Sequence, residues 1–189
     1  MDMEGYAIIG FIVAFVGLIL IILITKYNKI IWFKTKLDKG ETVLTSALEK
    51  KYHILLRYID FLNNNAKIQE NDFEEYKLLN LKMPFNKLNT KIEEMNNAIN
   101  KYMDNNEKLL KNETLIQINK ELLTVNINVN GCKKYYNDNL LIYNHLINSF
   151  PSNIISKIFK FKEKDFLNED IKNDFKILED NNEENQKEL

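Results

Sequence analysis

The chain opens with an unbroken apolar run, and apolar residues at helical spacing follow through most of the rest. Residues 5–25 carry no charge, and fourteen of these 21 residues are Ile, Leu, Val or Phe. As a helix this run would rise by about 30 Å, which matches the thickness of a bilayer core. The pattern predicts a transmembrane helix over residues 6–25, preceded by a short extracytoplasmic segment, residues 1–5.

Charges beside the run predict its orientation. Asp2 and Glu4 precede it and no basic residue does, whereas five lysines follow it: Lys26, Lys29, Lys34, Lys36 and Lys39. Because the lysine-rich flank stays inside, we expect the amino terminus outside and the rest of the chain in the cytoplasm. An acidic start without a small-residue cleavage site favours an uncleaved anchor over a signal peptide.

Small residues share one face of the predicted transmembrane helix. They are spaced by three, four and three positions: Ala7, Gly10, Ala14 and Gly17. Small side chains allow a second helix to approach closely, so we expect this face to self-associate in a homo-oligomer or to pack on a partner helix. The alternative is that glycine and alanine are simply frequent in membrane spans.

The remaining chain is typical of an all-α fold with long helices. Roughly heptad spacing predicts a helix from the membrane boundary to about residue 62, on six apolar residues: Leu37, Leu44, Leu48, Leu55, Tyr58 and Leu62. A short helix fits residues 71–82, with Asn71 or Asp72 as its cap. Its apolar members are Phe73, Leu78, Leu79 and Leu81. Pro84 interrupts the chain next, because proline lacks an amide donor.

Two further helices follow from regular apolar seams. The first has steps of three and four throughout: Phe85, Leu88, Ile92, Met95, Ile99 and Tyr102. After a break at residues 104–106, Asn112 is a candidate N-cap for the last long helix. Its seam has one polar member, Asn139, among ten other residues: Leu115, Ile118, Leu122, Val125, Val129, Cys132, Tyr136, Tyr143, Leu146 and Phe150. Pro151 ends this helix.

Two segments allow two interpretations. Residues 125–131 alternate apolar and polar side chains like a strand, but the unbroken seam favours a helix there, although Gly131 weakens it by about 1 kcal/mol. After Pro151, a short helix around Ile154 and Phe159 could close one end of the bundle or lie against the membrane surface. Its shortness favours the closing role. Short connections predict an antiparallel helical bundle over residues 26–167.

Charge and cysteine content add little to this picture. Residues 26–167 hold 23 basic and 17 acidic side chains, which would draw them weakly to an anionic leaflet but are too evenly mixed for nucleic-acid binding. Residues 168–189 carry eight acidic residues and three lysines, and we expect them to be disordered. The single cysteine, Cys132, suits a reducing compartment and is interpreted as a buried, inert thiol.

The residue patterns of known catalytic and metal sites are missing from the sequence. A di-iron bundle needs a glutamate three residues before each histidine, and neither His53 nor His145 has one. Five glycines do not form a phosphate-binding loop, and no histidine or cysteine pair has zinc spacing. We therefore expect no metal, no cofactor and no enzymatic activity.

Three residue pairs recur at steps of seven near the end of the last long helix: Tyr136 with Asn137, Tyr143 with Asn144, and Phe150 with Pro151. This arrangement resembles the signature of the LemA family, and residues 152–161 resemble the family's continuation. A further pair, Tyr27 with Asn28, follows the anchor where the family has one. The sequence departs from the family at three positions, with Leu56 for a proline, Asn126 for a glutamate and Lys160 for a glycine.

The resemblance implies a single-pass protein of the bacterial inner membrane with a helical-bundle domain and no established biochemical activity. Together with the anchor, it leads us to expect a cytoplasmic interaction or scaffold protein with an unknown protein partner. The alternative is a lipid-binding protein that senses or shapes the inner leaflet. We interpret the aromatic stripe of the motif as core. Asn137 and Asn144 would then bond a neighbouring helix.

Overall fold

Every regular element described in the computed structural model is a helix, which confirms the all-α prediction. The structure describes residues 3–65, 73–104, 106–164 and 166–167. The α-helices are α1 (Met3–Asn65), α2 (Glu74–Lys77), α3 (Phe85–Asp104), α4 (Glu113–Asn148) and α5 (Ser152–Phe159). A 3-10 helix, Glu107–Lys111, precedes α4.

The chain divides into two compact units. The anchor unit consists of Met1–Asp38 and Asn137–Leu189, and the bundle unit consists of Lys39–Tyr136. The predicted single bundle over residues 26–167 stays a prediction, as does the disorder of residues 168–189, which lie outside the described residues.

The bundle unit is built on the predicted apolar seams. Every seam residue of α1 in this unit is buried, and so are the central seam residues of α3: Leu88, Ile92, Met95 and Ile99. Five seam residues of α4 join them: Leu115, Ile118, Val125, Val129 and Tyr136. Burying a side chain of this size contributes about 1.5–3 kcal/mol, so this core is the main stabilising feature of the unit.

Side-chain contacts give the direction of the three long helices in the bundle unit. Gly40 lies against Tyr136, and Arg57 pairs with Glu121 at 2.6 Å, so α4 runs opposite to this part of α1. The ring of Phe85, at the start of α3, also lies 5.2 Å from the ring of Tyr136. Because the 3-10 helix is a short connection, α3 and α4 are antiparallel too.

The predicted helix over residues 71–82 is much shorter in the structure. Only Glu74–Lys77 is helical, Leu78 is 90% exposed, and Asn71 and Asp72 lie outside the described residues. The hydroxyl of Tyr52 donates to the carbonyl oxygens of Tyr76 at 2.8 Å and Lys77 at 3.0 Å. These two bonds satisfy carbonyls that a helix end leaves without partners.

The last long helix follows the prediction at its start and through its ambiguous part. The Asn112 side-chain oxygen accepts a bond from the Thr114 amide at 2.9 Å, as an N-cap does. Residues 125–131 are helical, because Val125 and Val129 lie one turn apart on the buried face. Leu122 and Cys132 are only half-buried, so the interpretation of Cys132 as a fully buried thiol is wrong.

The anchor unit has a core of its own. Its buried apolar residues come from α1, α4 and α5: Ile30, Phe33, Leu37, Leu140, Tyr143, Leu146, Ile147 and Ile155. Phe150 was predicted to join this seam but is 79% exposed. Because α4 ends at Asn148, Phe150 no longer follows the helical period that would have turned it inward.

Candidate interaction surfaces

The first part of α1 is an apolar segment that the rest of the described chain leaves uncovered. It is long and apolar enough to cross a membrane, and none of its most apolar stretch is buried. Large side chains from Tyr6 to Ile24 are exposed around the helix, with Leu23 half-exposed. A surface of this size is expected at a lipid or protein interface.

The predicted small face of this segment is open. Ala7, Gly10 and Ala14 are exposed and Gly17 is half-exposed. A Cβ added at Gly10 or Gly17 would meet no heavy atom within 4 Å. The face is thus available to a second helix, and its role in self-association stays a prediction.

Tyr27 of the repeated motif packs on the end of α5. Its ring centroid lies 4.6 Å from that of Phe159 and 6.2 Å from that of Phe161. Asn28, its neighbour in the motif, is exposed. The tyrosine therefore brings the residues at the end of α5 to α1 directly after the apolar segment.

The other motif pairs in the anchor unit bind the chain that follows α5. The hydroxyl of Tyr143 donates to the carbonyl of Lys162 at 3.1 Å. Asn144 donates to the carbonyl of Lys164 at 2.9 Å and accepts from the amide of the same residue at 3.2 Å. Asn137 is buried, and its side-chain oxygen accepts from the amide of Leu167 at 3.5 Å.

These bonds differ from the predicted ones in their partner. The asparagines were expected to bond a neighbouring helix, but they bond the backbone of residues 164 and 167, and residue 164 has no helical structure. A polar segment packed on a helix needs partners for its amides and carbonyls, and a side-chain amide supplies both a donor and an acceptor.

Charged groups strengthen the same attachment. The Lys164 ammonium lies 3.0 Å from the carboxylate of Asp38 on α1. Burial, together with the nearby charge of Asp38, raises the pKa of Tyr143, so its hydroxyl stays a donor at neutral pH. Sequence patterns did not identify Asp38 or Lys164, since their pairing spans more than a hundred residues.

The two remaining motif rings have different surroundings. Tyr136 is buried and meets Phe85 edge-on in the bundle unit, whereas Phe150 is exposed. The peptide bond between Phe150 and Pro151 is cis. The aromatic stripe is therefore core at Tyr136 and Tyr143 and surface at Phe150.

The bundle unit carries an apolar groove between α1 and α4. Its volume is about 500 Å³, and its lining includes Gly40 and Val43 of α1 with Ile127, Gly131 and Tyr135 of α4. Outside its own helix backbone and chain neighbours, no heavy atom lies within 4 Å of a Cβ added at Gly131, so the groove is open at this lining residue. Ile127 is 66% exposed, although it is a large apolar residue.

A charged cluster joins the three long helices of the bundle unit. The carboxylate of Glu93 on α3 lies 3.2 Å from the ammonium of Lys51 on α1 and 3.2 Å from that of Lys133 on α4. Burial by itself would raise the pKa of Glu93, but the two ammonium charges outweigh it and hold the pKa below its usual value. The Lys51 side chain is only 4% exposed, so this pair is partly desolvated.

One pair of side chains has the composition of a nucleophile and its base. The Ser149 hydroxyl lies 3.2 Å from Nε2 of His145 on an exposed surface. That hydroxyl also donates to the carbonyl of His145 at 2.7 Å, which takes its proton away from the imidazole. Within the described ranges, no group of three or more His, Cys, Asp or Glu side chains could hold a metal ion.

Comparison with known proteins identifies a family and gives no information about activity. No significant match was found among curated proteins or among solved structures. The sequence profile of the LemA family matches residues 80–177, which is just over half of the 189 residues and includes α3, α4 and α5. The chain therefore belongs to the LemA family.

Proposed function

We propose that this chain is a single-pass, membrane-anchored interaction protein that holds a helical body at the cytoplasmic face of a bacterial membrane. The observation that carries the proposal is the uncovered apolar segment of α1 beside folded and buried cores. Its large apolar residues favour insertion by roughly 0.3–0.6 kcal/mol each, which amounts to several kcal/mol. The lysines that follow it support a cytoplasmic body.

The body would act by binding rather than by catalysis. The groove between α1 and α4 has an apolar lining and lies beside an exposed stripe on α4, in which Leu123, Ile127, Gly131 and Tyr135 follow at steps of four. Such spacing matches the ridges that pack between helices. We propose that the occupant is an amphipathic helix of another protein, with an acidic side chain opposite Lys39 at the edge of the groove.

Anchoring is tested by membrane fractionation of the full chain. Ile12→Lys and Val16→Lys should each make membrane insertion less favourable by about 2.5–3.5 kcal/mol at the centre of a span. The variant with both lysines should therefore be released into the alkaline wash. The matched control places lysines at Ile116 and Leu123, which are exposed on the bundle unit, and should leave the protein in the pellet. Release of the unmodified chain would contradict the anchor.

Orientation is tested by protease added to intact spheroplasts. The bundle unit should be protected there and cleaved after the cells are opened. Cleavage in intact spheroplasts would place the body outside and contradict the proposed orientation.

The groove is tested with its own cysteine. A photoreactive benzophenone attached to Cys132, which lines the groove, should form one defined adduct in native membranes. Gly131→Leu places a large side chain in the groove and should abolish the adduct. Because leucine favours helix formation more than glycine does, the protein should lose no stability. Asn130→Leu, the neighbouring exposed position outside the lining, should leave the adduct unchanged.

The identity of the adduct decides the occupant. Mass spectrometry should find a peptide of a different protein attached to Cys132. An adduct between two copies of this chain would replace the proposed partner by a homo-oligomer. Equal labelling of all three variants, or no adduct, would contradict a binding groove.

A further inference from the structure

Helix α5 buries both of its serines and one isoleucine, Ile155, and exposes its other three large apolar residues. Ser152 is 1% exposed and Ser156 is 6% exposed, whereas Ile158 is 66% exposed and Phe159 is 55% exposed. Ile154, one turn before Ile158, is exposed as well. A helix at a water-facing surface has the opposite arrangement, with its apolar stripe turned inward.

The buried serine hydroxyl does not need water. The Ser156 hydroxyl donates to the carbonyl of Ser152 at 3.0 Å within the helix, so its burial leaves no unsatisfied donor. The small serine side chains let α5 approach the rest of the anchor unit closely. Ile154 and Ile158 consequently lie on the outer face, where the described chain leaves them exposed, and Phe159 is only partly covered by Tyr27.

A ring contact within the anchor unit places the end of α5 beside the end of the apolar segment. The ring of Phe159 is 4.6 Å from that of Tyr27, and Tyr27 follows the uncharged run by two residues. Two helical residues correspond to about 3 Å along the axis. If residues 6–25 span the bilayer, as the proposed function requires, Phe159 lies at the depth of the lipid headgroups.

Basic side chains lie beside the apolar face. Lys157, Lys160 and Lys162 line a cavity of about 530 Å³, together with Asn153 and Glu163. A side-chain oxygen of Asn153 is buried there without a hydrogen-bond partner in the structure. Three ammonium groups at the edge of an apolar surface match the phosphates and acyl chains of anionic lipids, since each lysine near such a surface contributes about 1 kcal/mol.

We propose that α5 is a lipid-binding helix that lies in the membrane interface beside the span. Ile154, Ile158 and Phe159 enter the boundary between headgroups and acyl chains, and the three lysines bind the phosphates of anionic phospholipids. The helix and the span thus hold the anchor unit to the bilayer at two points. The sequence favoured a closing role for α5 and left a membrane-surface role as the alternative, and the exposure of Ile154 and Ile158 supports that alternative.

Fluorescence quenching by brominated lipids tests the assignment on the full chain. Trp32 is replaced by Phe, and one tryptophan is introduced at a time, in nanodiscs of phosphatidylcholine and phosphatidylglycerol with brominated acyl chains. Because position 158 is exposed, Ile158→Trp leaves the core intact, and its emission should fall about twofold or more. Phe159→Trp keeps an aromatic ring beside Tyr27 and should be quenched in the same way.

Two control positions separate the possible failures. Ile19→Trp in the span should be quenched, and its failure would overturn the anchor of the proposed function. Ile142 is exposed on α4, close to Asn144. Asn144 bonds Lys164, and Lys164 pairs with Asp38, which lies about 20 Å beyond Thr25 along α1. Ile142→Trp is therefore far from the bilayer, and its emission should remain unquenched. Quenching at position 19 without quenching at 158 and 159 would overturn the lipid-binding helix alone.

The lysines are tested by lipid composition. Removing the anionic lipid should reduce quenching of Ile158→Trp, and Lys157→Gln with Lys160→Gln should remove the difference between the two lipid mixtures. Equal quenching of the parent tryptophan variant in both mixtures would overturn the role of the lysines.

Discussion

Helices α3 and α5 are both amphipathic, yet α3 buries its apolar face and α5 leaves three of its four large apolar residues exposed. In α3 the seam of Leu88, Ile92 and Ile99 is buried and the charged residues lie outward or half-buried, whereas α5 buries two serines and exposes Ile158. The difference shows that amphipathicity identifies two faces of a helix without saying which solvent each face meets. Water outside the bundle unit selects the usual arrangement, and lipid beside the anchor unit would select the inverted one.

Truncating one isoleucine in each helix should give the largest contrast. Ile92→Ala removes fully buried atoms and should cost about 3 kcal/mol of unfolding free energy. Ile158→Ala removes exposed atoms and should cost less than about 0.5 kcal/mol in detergent micelles. Urea denaturation of the full chain, followed by circular dichroism, measures both. Equal losses would mean that α5 is packed as α3 is.

Removing the charge on α3 should have the next largest effect. Glu93→Gln leaves the nearly buried Lys51 ammonium without its counter-charge and should lower the unfolding free energy by about 2 kcal/mol. The loss is smaller than for a fully buried pair because the Glu93 side chain is 38% exposed. Glu94→Gln is the control, since its pair with Lys91 is surface-exposed and should matter by less than about 0.5 kcal/mol. Similar losses in both variants would contradict the charged cluster.

The same carboxylate predicts an acid dependence. The folded-state pKa of Glu93 is lowered, so its contribution to stability is present above its ordinary pKa of 4.5 and is lost as the pH falls through the lower folded value. The parent protein should therefore lose more stability on acidification than Glu93→Gln does. Unfolding measured from neutral to acidic pH tests this, and parallel curves would contradict it.

Loosening the chain after α5 should give a local effect. Asn144→Ala removes both bonds to Lys164 and should cost about 1–2 kcal/mol in the opening of that segment, seen as roughly tenfold faster exchange of the Lys164 amide. Asn148→Ala removes only an exposed bond to the Glu163 side chain and serves as the control. Unchanged exchange in Asn144→Ala, with a lost partner in cells, would favour a binding role for the motif.

Adjusting the end of α5 should give the smallest effect, with the opposite sign. Lys160 has a φ of 56°, in the left-handed region where a side chain is strained, and its amide bonds the Ser156 carbonyl as a helix cap. Glycine adopts this conformation freely, so Lys160→Gly should stabilise the chain by about 0.5–1 kcal/mol. Lys157→Gly, inside the helix, should instead destabilise it by about 1 kcal/mol. Stabilisation by both would contradict the cap.

This cap gives a physical reason for the glycine of the family pattern at position 160. Where the family pattern has glycine, this chain has Lys160, and this residue ends α5 in the left-handed conformation that glycine adopts without strain. The resemblance alone could mark the difference, but only the backbone conformation gave a physical reason for it.

The fold was predictable wherever a helical apolar pattern continues over many turns. Periodic apolar residues predicted α1, α3 and α4, because a helix must bury one continuous stripe to be stable in water. The length of the short helix near Tyr76 was overestimated, since four apolar residues without a regular helical spacing do not show which of them are buried. Phe150 was wrongly predicted to lie in the core. The apolar spacing continues to Phe150 in the sequence, but α4 ends before it, so this spacing no longer places the side chain on the buried face.

By itself, the sequence determined the apolar segment, the long helices, the N-cap of α4 and the family. These depend on residues near one another along the chain, whose spacing translates directly into faces and ends of helices. Tertiary structure alone decided that Asn144 bonds Lys164, that Glu93 meets two lysines, and that α5 turns Ile154 and Ile158 outward. Each of these depends on which distant segment covers a surface, and local periodicity carries no information about that choice.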